Sequence, residues 1–187
     1  MNTSIMGVKP LKEYGIGKIA GIQLNTLPTA IIGFMILWIV LGGIAYWLIM
    51  LSPIEAVLGG LAAAVLHILS EFGHHLGHAI AARRTGYPMS GIRFGTMLFV
   101  ATSLYPEDEP GLSGDIHIRR ALGGPLASLA ISLIAGLIAL LLRSSGGVFL
   151  WIALFSFIDN FIVLTICAFL PMGFTDGSTL LEWSKNR

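Results

Sequence analysis

The chain has 187 residues, of which 55% are hydrophobic and only 11% charged, and its mean hydropathy is +0.84. Soluble domains carry about 25% charged residues, so the composition excludes a soluble protein and predicts one integral membrane domain over residues 1–187. The net charge is +1 and no basic patch alternates with aromatic residues, which argues against nucleic-acid binding. Cys167 is the only cysteine, which excludes a disulfide framework and a cysteine-based metal site.

The first quarter of the chain predicts a surface element followed by a membrane span. Residues 14–28 alternate weakly and contain three glycines, a pattern that favours a short pair of interfacial strands. The N-terminus does not resemble a cleavable signal, because no small-residue cleavage site follows its apolar run. Residues 29–51 are 23 positions without a charge, enough to cross a hydrocarbon core of about 30 Å, and they predict the first transmembrane helix.

The second predicted helix, over residues 54–83, contains most of the candidate functional residues. Pro53 suits its first turn, and small residues at 59–64 allow a neighbouring helix to approach closely. Its second half contains HILSEFGHHLGHA at 67–79, with four histidines and one glutamate. At roughly 100° per residue these five ionisable side chains fall within an arc of about 100° on one side of the helix.

Burying so many ionisable groups among Leu, Ile and Ala is costly unless something satisfies them. Two imidazoles at positions i and i+4 can bind one divalent ion from a single helix, so His74 and His78 predict a metal site. His67 alone is more typical of a core or cavity histidine. Glu71 alone fits a buried, hydrogen-bonded carboxyl as well as it fits a functional group.

Residues 86–118 form the only long polar stretch and predict an interfacial β and loop region. Strands are predicted at 92–94 and 96–100 as a hairpin at the membrane surface. We expect the acidic run at 107–111 to be a solvent-exposed turn. The edge of the 92–100 strands is predicted to accept an extended substrate or partner, because unpaired backbone groups at a sheet edge bind another strand.

Two further helices are predicted over residues 121–142 and 148–170, with Arg119 and Arg120 introducing the first of them. Asp159 lies near the middle of the last helix, where an acid normally faces the interior of the bundle, and we expect it to form structural hydrogen bonds. Pro171 and Gly173 break this helix before Asp176. Residues 182–187 are expected to be a polar tail.

The basic residues predict the topology. Ten of them flank one side of a four-helix arrangement and only Arg143 flanks the other. The ten are Lys9, Lys12, Lys18, Arg83, Arg84, Arg93, Arg119, Arg120, Lys185 and Arg187. The positive-inside bias therefore places both termini in the cytoplasm of a multi-pass protein, and we expect the plasma membrane of a prokaryote.

Four stretches in this order resemble the site-2 protease family of intramembrane zinc metalloproteases. They are LNTLPTAII at 24–32, HHLGHAIAARRTGYP at 74–88, GGPLAS at 123–128 and PMGFTDG at 171–177. The resemblance extends over residues 15–181. It implies an all-α integral membrane fold of four transmembrane helices with a small membrane-surface β element, and it implies Zn²⁺ as the cofactor.

The resemblance also implies roles for particular residues. His74 and His78 match the two zinc histidines, and Asp176 matches the aspartate ligand. Three protein ligands plus a water make the open tetrahedral site of a catalytic zinc. The implied activity is hydrolysis of a transmembrane or membrane-proximal peptide by zinc-activated water. No soluble domain is attached, so regulation would come from the loops, an oligomer or a regulatory membrane partner.

Three positions depart from the family pattern. His75 stands where the His-Glu-x-x-His motif has its general base, and Ala168 and Ser128 stand where asparagines are usual. His75, oriented by Glu71 one turn earlier, is predicted to take the catalytic proton. The other role open to His75 is to bind the zinc, which would block the water. The alternative is a pseudoprotease that binds zinc and a membrane partner without cleaving. A di-metal protein would need a second Glu-x-x-His, which the sequence lacks, and a transporter would need repeats that are also absent.

Overall fold

The computed structural model describes residues 11–97 and 100–185. Within these residues, four apolar helical segments are long enough to cross a membrane. A four-stranded sheet and a short terminal helix complete the described part of the chain. The prediction of a mostly helical membrane protein with four transmembrane helices and a small β element is therefore confirmed.

The first two transmembrane helices are α1 (Thr29–Trp47) and α2 (Pro53–Arg84). A capping box begins α2: the Ser52 hydroxyl accepts the Glu55 N–H, and the Glu55 carboxylate accepts the Ser52 N–H. Small residues bring the two helices together, as predicted. A Cβ added at Gly60 would lie 2.6 Å from the Gly42 backbone nitrogen, so α2 packs directly on the α1 backbone.

The strands form one sheet in the order β1-β2-β3-β4. The strands are β1 (Tyr14–Ile19), β2 (Ile22–Thr26), β3 (Gly91–Met97) and β4 (Val100–Leu104). β1 and β2 pair antiparallel and confirm the N-terminal strand pair, β2 and β3 pair parallel, and β3 and β4 form the predicted hairpin. β3 therefore lies inside the sheet, and β4 is one of its edges.

The second strand of the hairpin was placed wrongly by the sequence, at 96–100 instead of 100–104. The cause is Gly95, which has a φ of +81° and lies within β3 at an irregularity in the register, not in a turn. Glycine is needed there because a Cβ would lie 2.5 Å from the Ala30 backbone nitrogen at the start of α1. Residues 98–99, including Leu98, lie outside the described part of the chain.

The third transmembrane helix, α3 (Gly114–Leu142), begins seven residues earlier than predicted, so Arg119 and Arg120 lie within it. Arg120 is only 4% exposed. Its guanidinium forms a bidentate ion pair with Glu109, which allows a cation to lie on a buried helix face. The expectation of an exposed acidic turn at 107–111 is therefore wrong for Glu109.

The fourth transmembrane segment is a single span whose backbone changes form midway. α4 (Gly147–Ile158) continues as a π-helical turn over Asp159–Ile166 and a 3₁₀ turn over Cys167–Phe169. The Thr165 hydroxyl donates to the Asn160 carbonyl, and the Asn160 amide donates to Ser70 on α2. Such side-chain bonds compete with the regular helical ladder, so the uniform helix predicted over 148–170 does not form.

Asp159 and His67 form a buried pair between this segment and α2. The His67 Nδ1 atom lies 3.0 and 3.1 Å from the two carboxylate oxygens of Asp159. The hydrogen-bonding role expected for Asp159 and the core position expected for His67 are both confirmed. The contact fixes the distorted half of the fourth span against the helix that carries the histidines.

The last element, α5 (Asp176–Lys185), replaces most of the polar tail that the sequence predicted. The ring of Trp183 stacks on His117 of α3, with centroids 4.2 Å apart and planes 5° from parallel. This contact holds α5 against the start of α3. As a result, Asp176 at the first position of α5 is brought beside α2.

Candidate metal centre

Three side chains converge where α2, α3 and α5 meet. The His74 and His78 Nε2 atoms are 3.0 Å apart, and they lie 3.4 and 3.3 Å from the two carboxylate oxygens of Asp176. Tetrahedral zinc with bonds of about 2.0–2.2 Å separates its ligand atoms by about 3.3–3.5 Å. The two histidine–carboxylate distances match this spacing, and the two imidazole nitrogens lie slightly closer together than it. Among the described residues, these three predicted ligands form the only group of His, Cys, Asp or Glu close enough to hold a metal ion.

Both imidazoles are oriented by bonds from their other ring nitrogen. The Nδ1 atom of His74 lies 2.9 Å from the Ser128 hydroxyl, and that of His78 lies 2.8 Å from the Arg120 carbonyl oxygen. Proton donation to the Arg120 carbonyl leaves Nε2 of His78 free to bind a metal. Sequence reasoning missed Ser128 as an orienting residue, although it had singled out this position as one where the family usually has asparagine.

The carboxylate of Asp176 is ready to act as a ligand. Burial by itself would raise the pKa of this group, but hydrogen bonds with His74 and His78 outweigh burial and lower the pKa from 3.8 to about 2. The next residue, Gly177, packs so tightly that a Cβ there would overlap the Phe169 carbonyl. The Asp-Gly pair therefore supplies a candidate ligand and the close packing that positions it.

Gly124 of α3 keeps the space between the ligands open. A Cβ on this residue would overlap the Nε2 atoms of both His74 and His78. The two imidazoles can share a metal ion only because α3 presents no side chain at this point.

Gly124→Ala should therefore reduce bound zinc to well below one ion per chain while leaving the protein in the membrane. The added methyl group occupies the place where the two Nε2 atoms meet. Gly43→Ala on α1 is the matched control, because a Cβ there has nothing within 4 Å. Zinc content of the two purified variants checks the prediction, and equal full occupancy would contradict it.

His75 and Glu71 lie beside the three ligands but bond elsewhere. The Nδ1 atom of His75 is 2.9 Å from the Ser103 hydroxyl on β4, and its Nε2 atom is 3.6 Å from a Glu71 carboxylate oxygen. That oxygen also accepts the Ala101 N–H of β4 at 2.9 Å. Both ring nitrogens of His75 are thus engaged outside the group of metal ligands. Sequence reasoning did not identify Ser103.

A cavity of about 540 Å³ opens onto this site. The three ligands, His75, Glu71 and all but the last residue of β4 line one part of it. The distorted end of the fourth span and the segment leading to α5 line another part, through Val163, Leu164, Ala168, Met172 and Phe174. One part of the cavity wall therefore consists of polar, hydrogen-bonded side chains and another part is apolar, as is common in ligand and substrate sites.

The Arg120–Glu109 ion pair forms another part of the cavity wall. One guanidinium nitrogen lies 2.9 Å from Glu109 and another donates to Glu109 and to the Tyr87 carbonyl, both at 2.5 Å. The Tyr105 ring stands 4.3 Å from the guanidinium carbon. Hydrogen bonds from Arg120 lower the pKa of Glu109, so the pair stays ionised near neutral pH. It ties the loop after β4 to α3 at the residue whose carbonyl orients His78.

Comparison with known proteins supports the fold. No protein-family model matches the sequence, and no curated protein matches it significantly. Among solved structures, the chain is similar to the site-2 protease from Methanocaldococcus jannaschii, with 18% identity and a TM-score of 0.60. The alignment covers 94% of this chain and 72% of that one. At this identity the likeness shows a site-2-protease-like fold and nothing finer. The four apolar helices of the described residues are those of an integral membrane protein.

Proposed function

We propose that the protein is a site-2-protease-like zinc metallopeptidase that hydrolyses a peptide bond within or near the membrane. The observation that carries this proposal is the convergence of His74, His78 and Asp176 at zinc-ligand spacing on the wall of a cavity. Cleavage of a model transmembrane substrate by protein of measured zinc content tests it.

In the proposed reaction, three residues hold the zinc and two others transfer the proton. His74, His78 and Asp176 would hold the zinc, and a bound zinc supplies a water that loses its proton near neutral pH. His75 lies beside them with Glu71 behind its Nε2 atom, so the carboxylate favours a proton on Nε2 and leaves the Nδ1 lone pair as the acceptor. His75 then takes the proton of the water, which is the role of Glu in the His-Glu-x-x-His motif, and donates it to the leaving amine.

A pseudoprotease is the second candidate, and a specific observation favours it. The Nδ1 atom that would take the proton is already hydrogen-bonded to Ser103. If that bond persists when a substrate binds, the site would hold zinc and a membrane partner without hydrolysis.

The substrate is proposed to be a transmembrane or membrane-proximal peptide in extended form. β3 cannot accept it along an edge, because β2 and β4 pair with it on both sides. β4 is the edge of the sheet that lines the cavity, with Val100, Ala101, Thr102 and Ser103 on its wall. A strand added there would bring its peptide bonds past the metal ligands.

A photoreactive side chain at Thr102 should therefore crosslink to a bound model substrate. Position 18 on β1 provides the matched control, since β1 is the opposite edge of the same sheet and does not line the cavity. Crosslinking is measured on gels with a labelled substrate. Equal yields from the two edges would contradict substrate binding along β4.

The proposed location is the plasma membrane of a prokaryote, with both termini in the cytoplasm. β1 and β2 share a sheet with β3, and α5 stacks on the start of α3. Both terminal regions and the basic loop between α2 and α3 therefore lie at one end of the helices. Arg143, between α3 and α4, lies at the other end.

Single cysteines introduced into a Cys167→Ser background should report this orientation. Replacements at Lys12 and Ser184 should resist a membrane-impermeant maleimide in intact cells, while a replacement at Ser145 should react. All three positions are exposed, so accessibility depends on the side of the membrane. Reaction at positions 12 and 184 with protection at 145 would reverse the topology.

A further inference from the structure

Ser103, His75 and Glu71 form a continuous line of polar groups on the cavity wall. The Ser103 hydroxyl lies 2.9 Å from Nδ1 of His75, and Nε2 of His75 lies 3.6 Å from the Glu71 carboxylate. A hydroxyl within reach of an imidazole that a carboxylate orients is the arrangement that activates a serine nucleophile. Nothing in the peptidase proposal requires the serine.

The contacts of Glu71 and His75 favour proton transfer from Ser103 to His75. The Ala101 N–H donates to the same Glu71 oxygen that faces His75, and this bond fixes the carboxylate. A carboxylate at Nε2 selects the tautomer that carries its proton there. In that tautomer the Nδ1 lone pair accepts the Ser103 O–H, and the base contacts the proton it would remove.

The backbone around Ser103 offers a place for negative charge. Peptide groups alternate in direction along a strand, and the Ala101 N–H points away from β3 toward Glu71. The N–H of Ser103, two residues later, points to the same side of β4, away from β3. The amide of a nucleophilic serine is a common donor to the oxyanion of an acyl intermediate.

We propose that Ser103 is an acyl-accepting nucleophile, with His75 as its base and Glu71 as the residue that positions His75. The apolar cavity walls formed by Val163, Leu164, Met172 and Phe174 fit an ester of an apolar carboxylic acid. This activity needs none of the three candidate metal ligands, although it shares His75 and Glu71 with the proposed peptidase mechanism.

The reaction balances without a further reactant except water. The Ser103 oxygen bonds to the acyl carbon while its proton moves to Nδ1 of His75. The ester C–O bond then breaks, and the departing alkoxide takes that proton. Water then hydrolyses the acyl-serine. Its oxygen bonds to the acyl carbon while its proton moves to Nδ1 of His75. The bond between the Ser103 oxygen and the acyl carbon breaks, the Ser103 oxygen takes the proton from His75, and the free acid leaves as product.

An alkyl fluorophosphonate tests the proposal on the full-length protein in detergent. Oxygen–phosphorus bond formation at Ser103 releases fluoride, and intact mass with peptide mapping locates the adduct. We expect one adduct on Ser103 in the native protein, none in Ser103→Ala and retention in the control variant Ser132→Ala, whose hydroxyl bonds to the Leu129 carbonyl and does not line the cavity. His75→Ala should slow labelling by about 10²–10⁴-fold, because it removes the general base.

Two further measurements keep the result decisive. Zinc content of Ser103→Ala equal to that of the native protein shows that loss of the adduct is not loss of the fold. Labelling should persist after zinc is chelated, whereas the proposed peptidase activity should stop. Folded native protein without an adduct on Ser103, or an adduct whose rate is unchanged in His75→Ala, would overturn the proposal.

Discussion

Replacing both His74 and His78 by alanine should remove stoichiometric zinc from the purified protein. The pair supplies two of the three ligand atoms, and their Nε2 atoms lie only 3.0 Å apart. Asp176 alone offers a carboxylate, which is too few ligands to hold zinc against detergent washing and dialysis. Metal analysis of the purified variant should fall from one zinc per chain to near none.

Two buried serines on α3 provide a graded pair of variants. Ser128 is 0% exposed and bonds to Nδ1 of His74, so Ser128→Ala should weaken zinc binding by about 10–100-fold, as loss of an orienting partner does. Ser132 is equally buried, one turn later, but it donates to the Leu129 carbonyl. Ser132→Ala should leave zinc affinity unchanged.

Full metal content in the double histidine variant would show that the ligand assignment is wrong.

The second large effect concerns the proton acceptor. His75→Ala should lower peptidase activity by about 10²–10⁴-fold, the usual contribution of general acid–base catalysis. Zinc content should not change, because His75 lies outside the ligand group. Glu71→Gln should also lower peptidase activity, but by less. The oxygen of the glutamine side chain can still accept the Ala101 N–H, so the variant loses only the negative charge beside His75. Activity is measured on a model transmembrane substrate.

His75→Glu separates the two candidate functions. It restores the residue that the His-Glu-x-x-His motif uses as general base. An inactive native protein together with an active His75→Glu variant would identify a pseudoprotease with a competent zinc site. An active native protein whose cleavage rate is unaffected by His75→Ala would show that another group accepts the proton.

Hydropathy and motif spacing predicted the parts of the fold that depend on local sequence. Four uncharged or nearly uncharged runs predicted the membrane spans, and the i, i+4 histidines predicted two ligands on one helix face. Asp176 followed only from the resemblance and the Pro171 break. Its position beside α2 depends on stacking between His117 and Trp183, which the sequence does not display.

The errors arise where distant residues decide local structure. The π-helical turn depends on bonds between Asn160 and Ser70, which are 90 residues apart. The shift of β4 depends on Gly95, whose positive φ serves contact with α1 and not a turn. Arg120 appeared to precede α3 as a flanking charge, yet Glu109 and the Tyr87 carbonyl bond to it inside the fold.

The same limit applies to the candidate site. Ser128 and Ser103 orient His74 and His75 from positions 54 and 28 residues away. His78 is held by a backbone carbonyl, which every residue possesses and no pattern can reveal. Residue type and spacing predicted two of the three candidate ligands, whereas the groups that orient them are found only after the chain has folded.

Zinc content and proteolysis measured on one purified sample test the proposed function most directly. We expect one zinc per chain and cleavage of a transmembrane substrate, both lost on chelation and both restored when zinc is returned. The same sample with His78→Ala should show neither. Protein that carries one zinc per chain and leaves the substrate intact, or that cleaves equally well after its zinc is removed, would contradict a zinc peptidase.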